Sequence, residues 1–372
     1  MNQRIYTLFL IAAFWIGLQP VSAQHHEAEA QNEETAVEKT HEKEHKEEGE
    51  EKFDATALIN HHLADSHEYV FELPFFHKTI HLPIILWTKN GLTIFSSSDF
   101  KGDDHGHVVV EKNGQKFVKI HDVIAYADKV GEHTKAEDIK LEHRPLDFSL
   151  TKNVLSILFT FLALFFVLMG VKKAYDSQGV PRGIAKFLEP IIVFVRDDIA
   201  KENIGPKYEK YLPFLLTIFF FILFSNLFGL IPFSPFGYNL TGNIVVTFVL
   251  AAMVFFVTNL SGNKAYWKHI LWPPDVPVVI KPFIAAIELL GIFIKPFALM
   301  IRLFANIFAG HTIILTFITL IFVFKNWGVP LAAGFGTVFM YISELLVAFL
   351  QAYVFTLLAA IYIGMAVKEE AH

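Results

Sequence analysis

Residues 296–311 read PFALMIRLFANIFAGH, an apolar stretch with a single arginine, Arg302, near its centre. Arginine stays protonated in proteins, and even the lowest insertion scales put its cost at the centre of a bilayer near ~2.5–3.5 kcal/mol. A membrane helix that carries such a charge is usually built around an ion pathway or a partner carboxylate. A structural ion pair within a helix bundle and a side chain that snorkels to the surface are the alternatives.

The composition is that of a membrane protein with a soluble part. Of its 372 residues, 53% are hydrophobic and 39 are Phe, and the chain has no Cys. Residues 211–263 contain no Asp, Glu, Lys or Arg, whereas residues 24–52 contain eleven Glu and four Lys. The lack of Cys excludes disulfides and thiolate chemistry.

The first 52 residues are predicted to precede the folded part of the chain. Residues 1–23 have the features of a signal peptide: Arg4, an apolar core over 5–18, and a small-residue cleavage site at 21–23. An uncleaved anchor is the alternative. Residues 24–52 form an acidic, His-rich leader that cannot bury enough apolar surface to fold alone. Its four histidines could bind a metal, but their irregular spacing favours a solvated tract.

Residues 53–147 are predicted to be an exported soluble segment that contains β-strands. Short apolar runs at 70–73, 84–88 and 92–95 indicate strands, and Lys89-Asn90-Gly91 predicts a hairpin turn between the last two. Asn113-Gly114 predicts a second hairpin, between 108–110 and 117–120. His121-Asp122 and Asp103-Asp104-His105 are conceivable metal ligands, but the surrounding Gly and Lys favour loops.

Residues 148–372 are predicted to be an all-α, polytopic membrane domain with about five embedded helices. Apolar segments of spanning length indicate the first three, at 153–171, 211–231 and about 237–260, with a turn at 232–237. Between the first two, residues 179–204 mix apolar and charged positions in the manner of an amphipathic surface helix. Lysines and arginines follow the first and third spans, which places those connections and the C-terminus in the cytoplasm and the N-terminus outside.

The last two apolar segments, 277–324 and 329–367, are too long to cross a bilayer directly. As a helix, the first would be about 70 Å long at ~1.5 Å per residue, against a hydrocarbon core of ~30 Å. It must therefore break, at Pro282 or Pro296, or tilt strongly. A long tilted hairpin accommodates both segments, and contact with a round partner is one physical reason to build it.

Polar side chains on these two segments fall into two zones. At 100° per residue, Glu288 and Arg302 share a face with an offset of about 40°, whereas His311 points to the opposite side. Glu288 lies toward the cytoplasmic start of the segment. The second zone lies beyond Arg302 and contains Asn306, His311 and, in an antiparallel hairpin, Glu344 and Gln351. Two polar zones separated by a fixed positive charge indicate two half-channels with a barrier. Lys295 is expected near a surface, and Gln351 alone could be an interhelical hydrogen bond.

The run Arg302-Leu-Phe-Ala-Asn306-Ile-Phe-Ala-Gly310 resembles the signature of subunit a of F-type ATP synthases. The resemblance extends over roughly residues 147–370 and includes Glu288, Pro296, and the stretches NLFGLIP at 226–232 and LQAYVF at 350–355. Some bacterial members carry an acid at the position of His311 and a histidine at that of Glu344. This exchange suggests that the two side chains meet. The segment 53–147 departs from the short N-terminus of many members.

The resemblance implies a non-catalytic, proton-conducting stator subunit in a bacterial inner membrane, without cofactor, metal or nucleic acid. Its partners would be a ring of c subunits, the b subunits of the peripheral stalk, the soluble ATPase sector and the lipid bilayer. Protons would arrive from outside past Glu344, His311, Asn306 and Gln351, neutralise a ring carboxylate, and leave near Glu288 after rotation. Arg302 would separate the two paths. The ion site on the ring would mainly decide between H⁺ and Na⁺.

Two other classes of protein compete with this interpretation. A secondary transporter could use Arg302 to hold an anionic substrate, but it would need a midplane cavity and often internal repeats. No convincing repeat is present, and the polar residues form a line more than a pocket. A structural or assembly protein, with polar helices acting as glue, leaves the paired polar zones unexplained.

Overall fold

The computed structural model describes residues 65–368, except 74–75, 121, 132–137, 175–179, 232–239, 274–276 and 324–327. The predicted signal peptide, the acidic leader and the turn at 232–237 therefore lie outside the described residues. The described chain forms two compact units. One unit contains residues 65–152, called the soluble unit below, grouped with the apolar residues 315–335; the other, the membrane unit, contains residues 153–314 and 336–368.

The described part of the soluble unit contains eight short antiparallel strands in three small sheets. The strands are β1 (Glu68–Leu73), β2 (Phe76–His81), β3 (Pro83–Thr88), β4 (Gly91–Ser96), β5 (Val110–Lys112), β6 (Gln115–Ile120), β7 (Val123–Tyr126) and β8 (Leu146–Asp147). The sheets have the orders β1-β2, β4-β3-β8 and β5-β6-β7. Ile84, Leu86, Phe95, Phe100 and Phe117 form the centre of its apolar core.

Both predicted hairpins are confirmed. Thr88 pairs with Gly91 across the first turn. Lys112 pairs with Gln115 across the second, whose Asn113 and Gly114 have φ of 51° and 70°. Positive φ at both central residues is what a type I′ turn requires, and Asn-Gly satisfies it at low steric cost. The strands β2, β7 and β8 were not predicted.

The acidic residues considered as metal ligands serve the fold of the soluble unit. Asp103 accepts backbone hydrogen bonds from His105 at 3.0 Å and Val108 at 2.6 Å, which fixes the loop before β5. Asp104 and Asp122 lie 2.7 and 3.6 Å from the ammonium of Lys119, a side chain that is only 2% exposed. A buried ammonium needs such partners, because an unpaired charge costs several kcal/mol to bury.

A buried ion pair lies within the soluble unit, near the end of its residues 65–152. His67 Nε2 lies 3.3 Å from Asp147 Oδ2, and Asp147 also accepts hydrogen bonds from the amide and hydroxyl of Ser149. Burial opposes protonation of His67, but the hydrogen bond and charge of Asp147 outweigh it and raise the His67 pKa. Burial alone would raise the pKa of Asp147, yet the bonds from His67 and Ser149 lower it.

These opposite pKa shifts predict a pH window for the stability of the hydrogen bonds made by residues 148–152. The His67 contribution is complete below its ordinary pKa of 6.5 and is lost as the pH rises through the higher folded value. The Asp147 contribution is present above its ordinary pKa of 3.8 and is lost as the pH falls through the lower folded value. Amide-exchange protection of Phe148, Leu150 and Lys152, corrected for intrinsic rates, should therefore be greatest between about pH 4 and 6.5.

Removing the imidazole should abolish this pH dependence. His67→Ala should reduce protection roughly tenfold or more, since a charge-assisted hydrogen bond contributes about 1.5–3 kcal/mol. His81→Ala is the matched control, because His81 is 40% exposed in its 3.4 Å pair with Glu68. A protection profile that keeps rising above pH 7, or one unchanged in His67→Ala, would contradict this account of the pair.

The remaining described chain is helical, and five helical stretches are long and apolar enough to cross a membrane. This confirms the predicted polytopic all-α fold with a small β-containing N-terminal segment. The helices are α1 (Lys152–Lys173), α2 (Ile184–Phe194), α3 (Tyr208–Leu230), α4 (Ile244–Ser261), α5 (Lys264–Leu271), α6 (Lys281–Val323) and α7 (Gly328–Val367). A π-helical turn, Val195–Lys201, and the short turns Glu202–Ile204 and Gly205–Lys207 join α2 to α3.

Three predicted boundaries differ from the structure. The amphipathic helix begins at Ile184 and not at Gly179, since Gly183 has φ of 56°, and it widens into the π-helical turn after Phe194. The third span begins at Ile244 and not near Gly237, because the side chain of Asn243 caps it by accepting from the amide of Val245 at 2.9 Å.

The predicted break at Pro296 does not occur, and Pro282 lies at the start of the helix, as its second residue. Helix α6 is continuous for 43 residues and contains Pro296. A proline removes one backbone donor and can kink a helix, but here helical structure continues on both sides of it. At ~1.5 Å per residue α6 is about 65 Å long, against a hydrocarbon core of ~30 Å, and its strong tilt stays a prediction.

The membrane unit packs around α3. Leu215, Phe219 and Ile222 of α3 are fully buried and share a core with Val254 of α4 and Leu303 of α6. At the far end of α7, a Cβ at Gly364 would overlap the backbone carbonyl of Asn203, with the carbonyl carbon 3.0 Å away. Gly364 thus allows α7 to lie against the turn that precedes α3.

Candidate functional site

Arg302 lies on the outward side of α6. Its side chain is exposed, as is that of Asn306 one turn later, whereas the intervening Leu303 is fully buried in the core. An exposed guanidinium on a membrane helix carries a large desolvation cost unless a partner covers it. The exposed guanidinium of Arg302 therefore lies on the surface of this chain.

Glu344 of α7 lies directly against Gly310 of α6. A Cβ built at Gly310 would overlap the Glu344 carboxylate, whose Cδ would be only 2.6 Å away. Gly310 lies 13 residues before the end of α6 and Glu344 lies 16 residues after the start of α7, so the two helices meet here as the arms of an antiparallel hairpin. The absence of a side chain at Gly310 makes room for the carboxylate.

His311 follows Gly310 in α6 and therefore belongs to the same level of the hairpin as Glu344. Its side chain lies outside the part of the structure that is described. The backbone is thus compatible with the predicted meeting of His311 and Glu344, and that meeting stays a prediction.

Glu344 faces a small cavity between three helices. Both Glu344 and Gln351, two turns apart on α7, are only 7% exposed. The cavity is lined by Ser225, Asn226, Gly229 and Leu230 of α3, Ile307 of α6, and Glu344 and Ala348 of α7. A carboxylate in an apolar bundle is stable only where polar groups or water reach it, and this cavity supplies polar groups.

Helix α3 contributes polar groups that were not predicted as site residues. Asn226 accepts a hydrogen bond from the Thr241 hydroxyl, and its amide lies 3.4 Å from the carbonyl of Ala348. The Ser225 hydroxyl is buried, and no hydrogen-bond partner for it is found among the described residues. The signal for both was present, because Ser225-Asn226 is a polar pair inside an apolar span, and such pairs mark functional positions.

Glu288 lies at the other end of the site. It is half-buried on α6, and its carboxylate is close enough to Tyr266 of α5 to affect that phenol. Burial raises the pKa of Tyr266, and the negative charge of Glu288 adds to the rise. Lys295, expected near a surface, places its ammonium 5.9 Å from the ring centre of Tyr362 on α7.

The six predicted residues are therefore distributed along the hairpin and do not form one cluster. At ~1.5 Å per residue, Glu288 precedes Arg302 by about 21 Å, and Gly310, which carries the Glu344 contact, follows it by about 12 Å. Of the candidate spans, α6 is the least covered: only 17% of its most apolar window is buried. Its exposed apolar stripe consists of Phe283, Ile287, Leu290, Ile294 and Phe297.

Two family comparisons divide the chain at the start of α1. The sequence model of the ATP synthase A chain family matches residues 154–364. A domain of unknown function (DUF8433) matches residues 58–148.

Curated relatives agree with the first of these matches. The chain is 43% identical over 249 residues to ATP synthase subunit a of Chloroherpeton thalassium, which covers 63% of this chain and 71% of that protein. It is 44% identical over 243 residues to ATP synthase subunit a 2 of Chlorobaculum tepidum, covering 61% and 65%. It is also 41% identical over 244 residues to ATP synthase subunit a of Myxococcus xanthus, covering 61% and 76%.

Proposed function

Because the chain belongs to the ATP synthase A chain family, we propose that it forms two offset proton half-channels against a rotating ring of c subunits. The membrane-sector role and the multi-pass topology follow from family and fold. The two half-channels, the ring contact and the part of each residue are the proposal. The chain itself carries out no bond chemistry in this scheme, and rotation couples its proton flow to ATP made elsewhere in the complex.

One observation carries the proposal: the two buried or half-buried glutamates lie on opposite sides of an exposed arginine along α6. Glu344 meets α6 beyond Arg302, and Glu288 precedes Arg302. A continuous channel would place its polar groups without a fixed cation between them. An offset pair of channels needs this arrangement, because protons must be prevented from passing directly from one side to the other.

The outer half-channel is built around the cavity beside Glu344. Asn226 and Ser225 provide hydrogen-bonding groups on one wall, and Gln351 continues the polar line along α7. The ordinary pKa of an imidazole lies near neutrality, so His311 is suited to pass protons to Glu344. From there, past Asn306, protons reach a carboxylate on the ring, which becomes neutral and can face lipid at lower cost.

The inner half-channel lies near Glu288, where a ring carboxylate releases its proton after nearly a full turn. Arg302 attracts the ionised carboxylate and favours that release, since a nearby cation lowers a carboxyl pKa. The guanidinium cannot act as a proton relay, because it stays protonated. Each charge that crosses a potential of 100 mV supplies about 2.3 kcal/mol to the rotation.

The exposed stripe of α6 is the surface that the ring would cover. The stripe is wholly apolar from Phe283 to Phe297, and Arg302 follows it. A strongly tilted hairpin keeps this stripe against a round partner over a long arc. The b subunits of the peripheral stalk would hold the subunit still.

The proposed orientation in the membrane has a cytoplasmic C-terminus and an exported soluble unit. The lysines and arginines that follow the first and third spans support this orientation, because positively charged loops favour the cytoplasm.

Exchanging His311 and Glu344 tests whether the two side chains share one task. The variants His311→Glu and Glu344→His should each lower ATP-driven pumping roughly tenfold or more, because each leaves two like groups together. The double exchange should restore pumping several-fold above either single variant. Fluorescence quenching of a pH-sensitive dye in membrane vesicles measures this. A double variant that pumps no faster than the single variants would show that His311 and Glu344 do not share one task.

Purification of the tagged chain in mild detergent tests the function itself. The expected result is a complex that contains the ring and the soluble ATPase and that acidifies liposomes when ATP is added. Recovery of the chain without either partner, together with substrate uptake driven by an ion gradient, would replace the proposal with a secondary transporter.

A further inference from the structure

The sheet β4-β3-β8 of the soluble unit has one face in the core and the other exposed. Along β3 and β4, Ile84, Leu86 and Phe95 point into the core, and their alternating neighbours point away. In an antiparallel sheet with one face in water, the outward positions are usually polar. Here they are not.

The outward positions form a contiguous apolar surface, the outer patch, consisting of Trp87, Leu92, Ile94 and Leu146. Their exposed fractions are 56%, 50%, 60% and 55%. Trp87 pairs with Leu92 on one side and with Leu146 on the other, so the three side chains form a row across all three strands. Ile94 lies in the next row, opposite Ile85. The patch contains no charged side chain, which favours an apolar partner over a charged one.

The third strand of this sheet leads directly into the first candidate span. Strand β8 ends at Asp147, and α1 begins at Lys152. The intervening residues are fixed to the soluble unit: the amide of Phe148 donates to Ile85 at 2.8 Å, and that of Lys152 donates to Ser66 at 2.9 Å. The residues from Leu146 to Lys152 are therefore fixed to the soluble unit by hydrogen bonds as well as by the chain.

We propose that the outer patch lies in the interfacial layer of the bilayer, beside the point where α1 enters the membrane. Leu146 precedes Lys152 by six residues, a reach of at most about 20 Å. A domain held this closely keeps its exposed apolar face near lipid, and tryptophan favours the membrane–water interface. The occupant is the outer-leaflet lipid surface. The inference depends on α1 being a membrane helix and on the exported position proposed for the soluble unit, and it is independent of the proton path.

The chain lacks Cys, so single cysteines can carry a spin label in the assembled complex once the cysteines of other subunits are replaced. Leu92→Cys and Ile94→Cys report on the outer patch. Lys116→Cys, an exposed position on β6 in a different sheet, is the matched control. The complex is reconstituted into liposomes of phosphatidylethanolamine and phosphatidylglycerol. Collision rates with oxygen, which concentrates in lipid, and with a water-soluble nickel chelate are then measured.

The labels at positions 92 and 94 should collide with oxygen several-fold more, relative to the nickel chelate, than the label at position 116. Equal ratios at all three positions would place the patch in water and overturn the proposal. Labels at 92 and 94 that are shielded from both reagents would show that a protein covers the patch, which also overturns it. ATP-driven pumping at the wild-type rate in each variant checks that the complex is intact.

Discussion

Arg302→Ala is expected to reduce ATP-driven proton pumping to background, a loss of at least a hundredfold. Without the guanidinium, a ring carboxylate has no fixed cation to favour its ionisation as it passes the hairpin. Arg302→Lys should fail as well, because an ammonium can lose its proton when the assembled ring buries it, whereas a guanidinium cannot. Dye quenching in vesicles that contain the assembled complex measures both variants.

Arg196→Ala is the matched control for these two changes. The side chain of Arg196 is 44% exposed, and its guanidinium pairs with the carboxylate of the adjacent Asp197 at 2.7 Å. Exposed pairs of this kind contribute little to stability, so this variant should pump at close to the wild-type rate. If Arg302→Ala still pumped, Arg302 would have only a structural role, and the guanidinium would not be needed for proton transport.

Gly310→Ala is expected to lower pumping roughly tenfold while leaving the complex assembled. A Cβ at this position overlaps the Glu344 carboxylate. Since the clash involves the end of a flexible side chain and no backbone atom, the helices need not separate. The carboxylate itself must move, and a proton pathway depends on its position. The measurement pairs the yield of intact complex with the pumping rate.

Gly291→Ala provides the control on the same helix. A Cβ at Gly291 meets no atom within 4 Å, and alanine favours a helix by up to about 1 kcal/mol over glycine. Pumping should therefore remain near the wild-type rate. Equal pumping rates in the two variants would show that the position of Glu344 beside Gly310 does not matter for conduction.

The sequence was most informative where one residue type contradicts its surroundings. Arg302 within an apolar run indicated the candidate site, and the length of uncharged segments indicated the spans, because a bilayer imposes both constraints locally. The Asn113-Gly114 hairpin was predictable for a similar reason: the turn conformation is decided by the residues within it.

Features that depend on contacts between distant segments were not predictable. Ser225 and Asn226 become part of the site only because α3 packs beside Glu344 of α7. The role of Gly310 as the space for a carboxylate is visible only once the hairpin closes. Strand β8 has two residues and exists because β3 pairs with it. Pro296 suggested a break in α6, yet the helix continues through it.

Passive proton permeability of vesicles that contain the assembled complex tests the central claim most directly. Vesicles with Arg302→Ala should leak protons down an imposed gradient well above vesicles with the wild-type complex, since the two half-channels would then join. Both preparations should contain equal amounts of complex, and no ATP is added. A mutant that is as proton-tight as the wild type would contradict the account, because Arg302 would not be the barrier between two water-accessible paths.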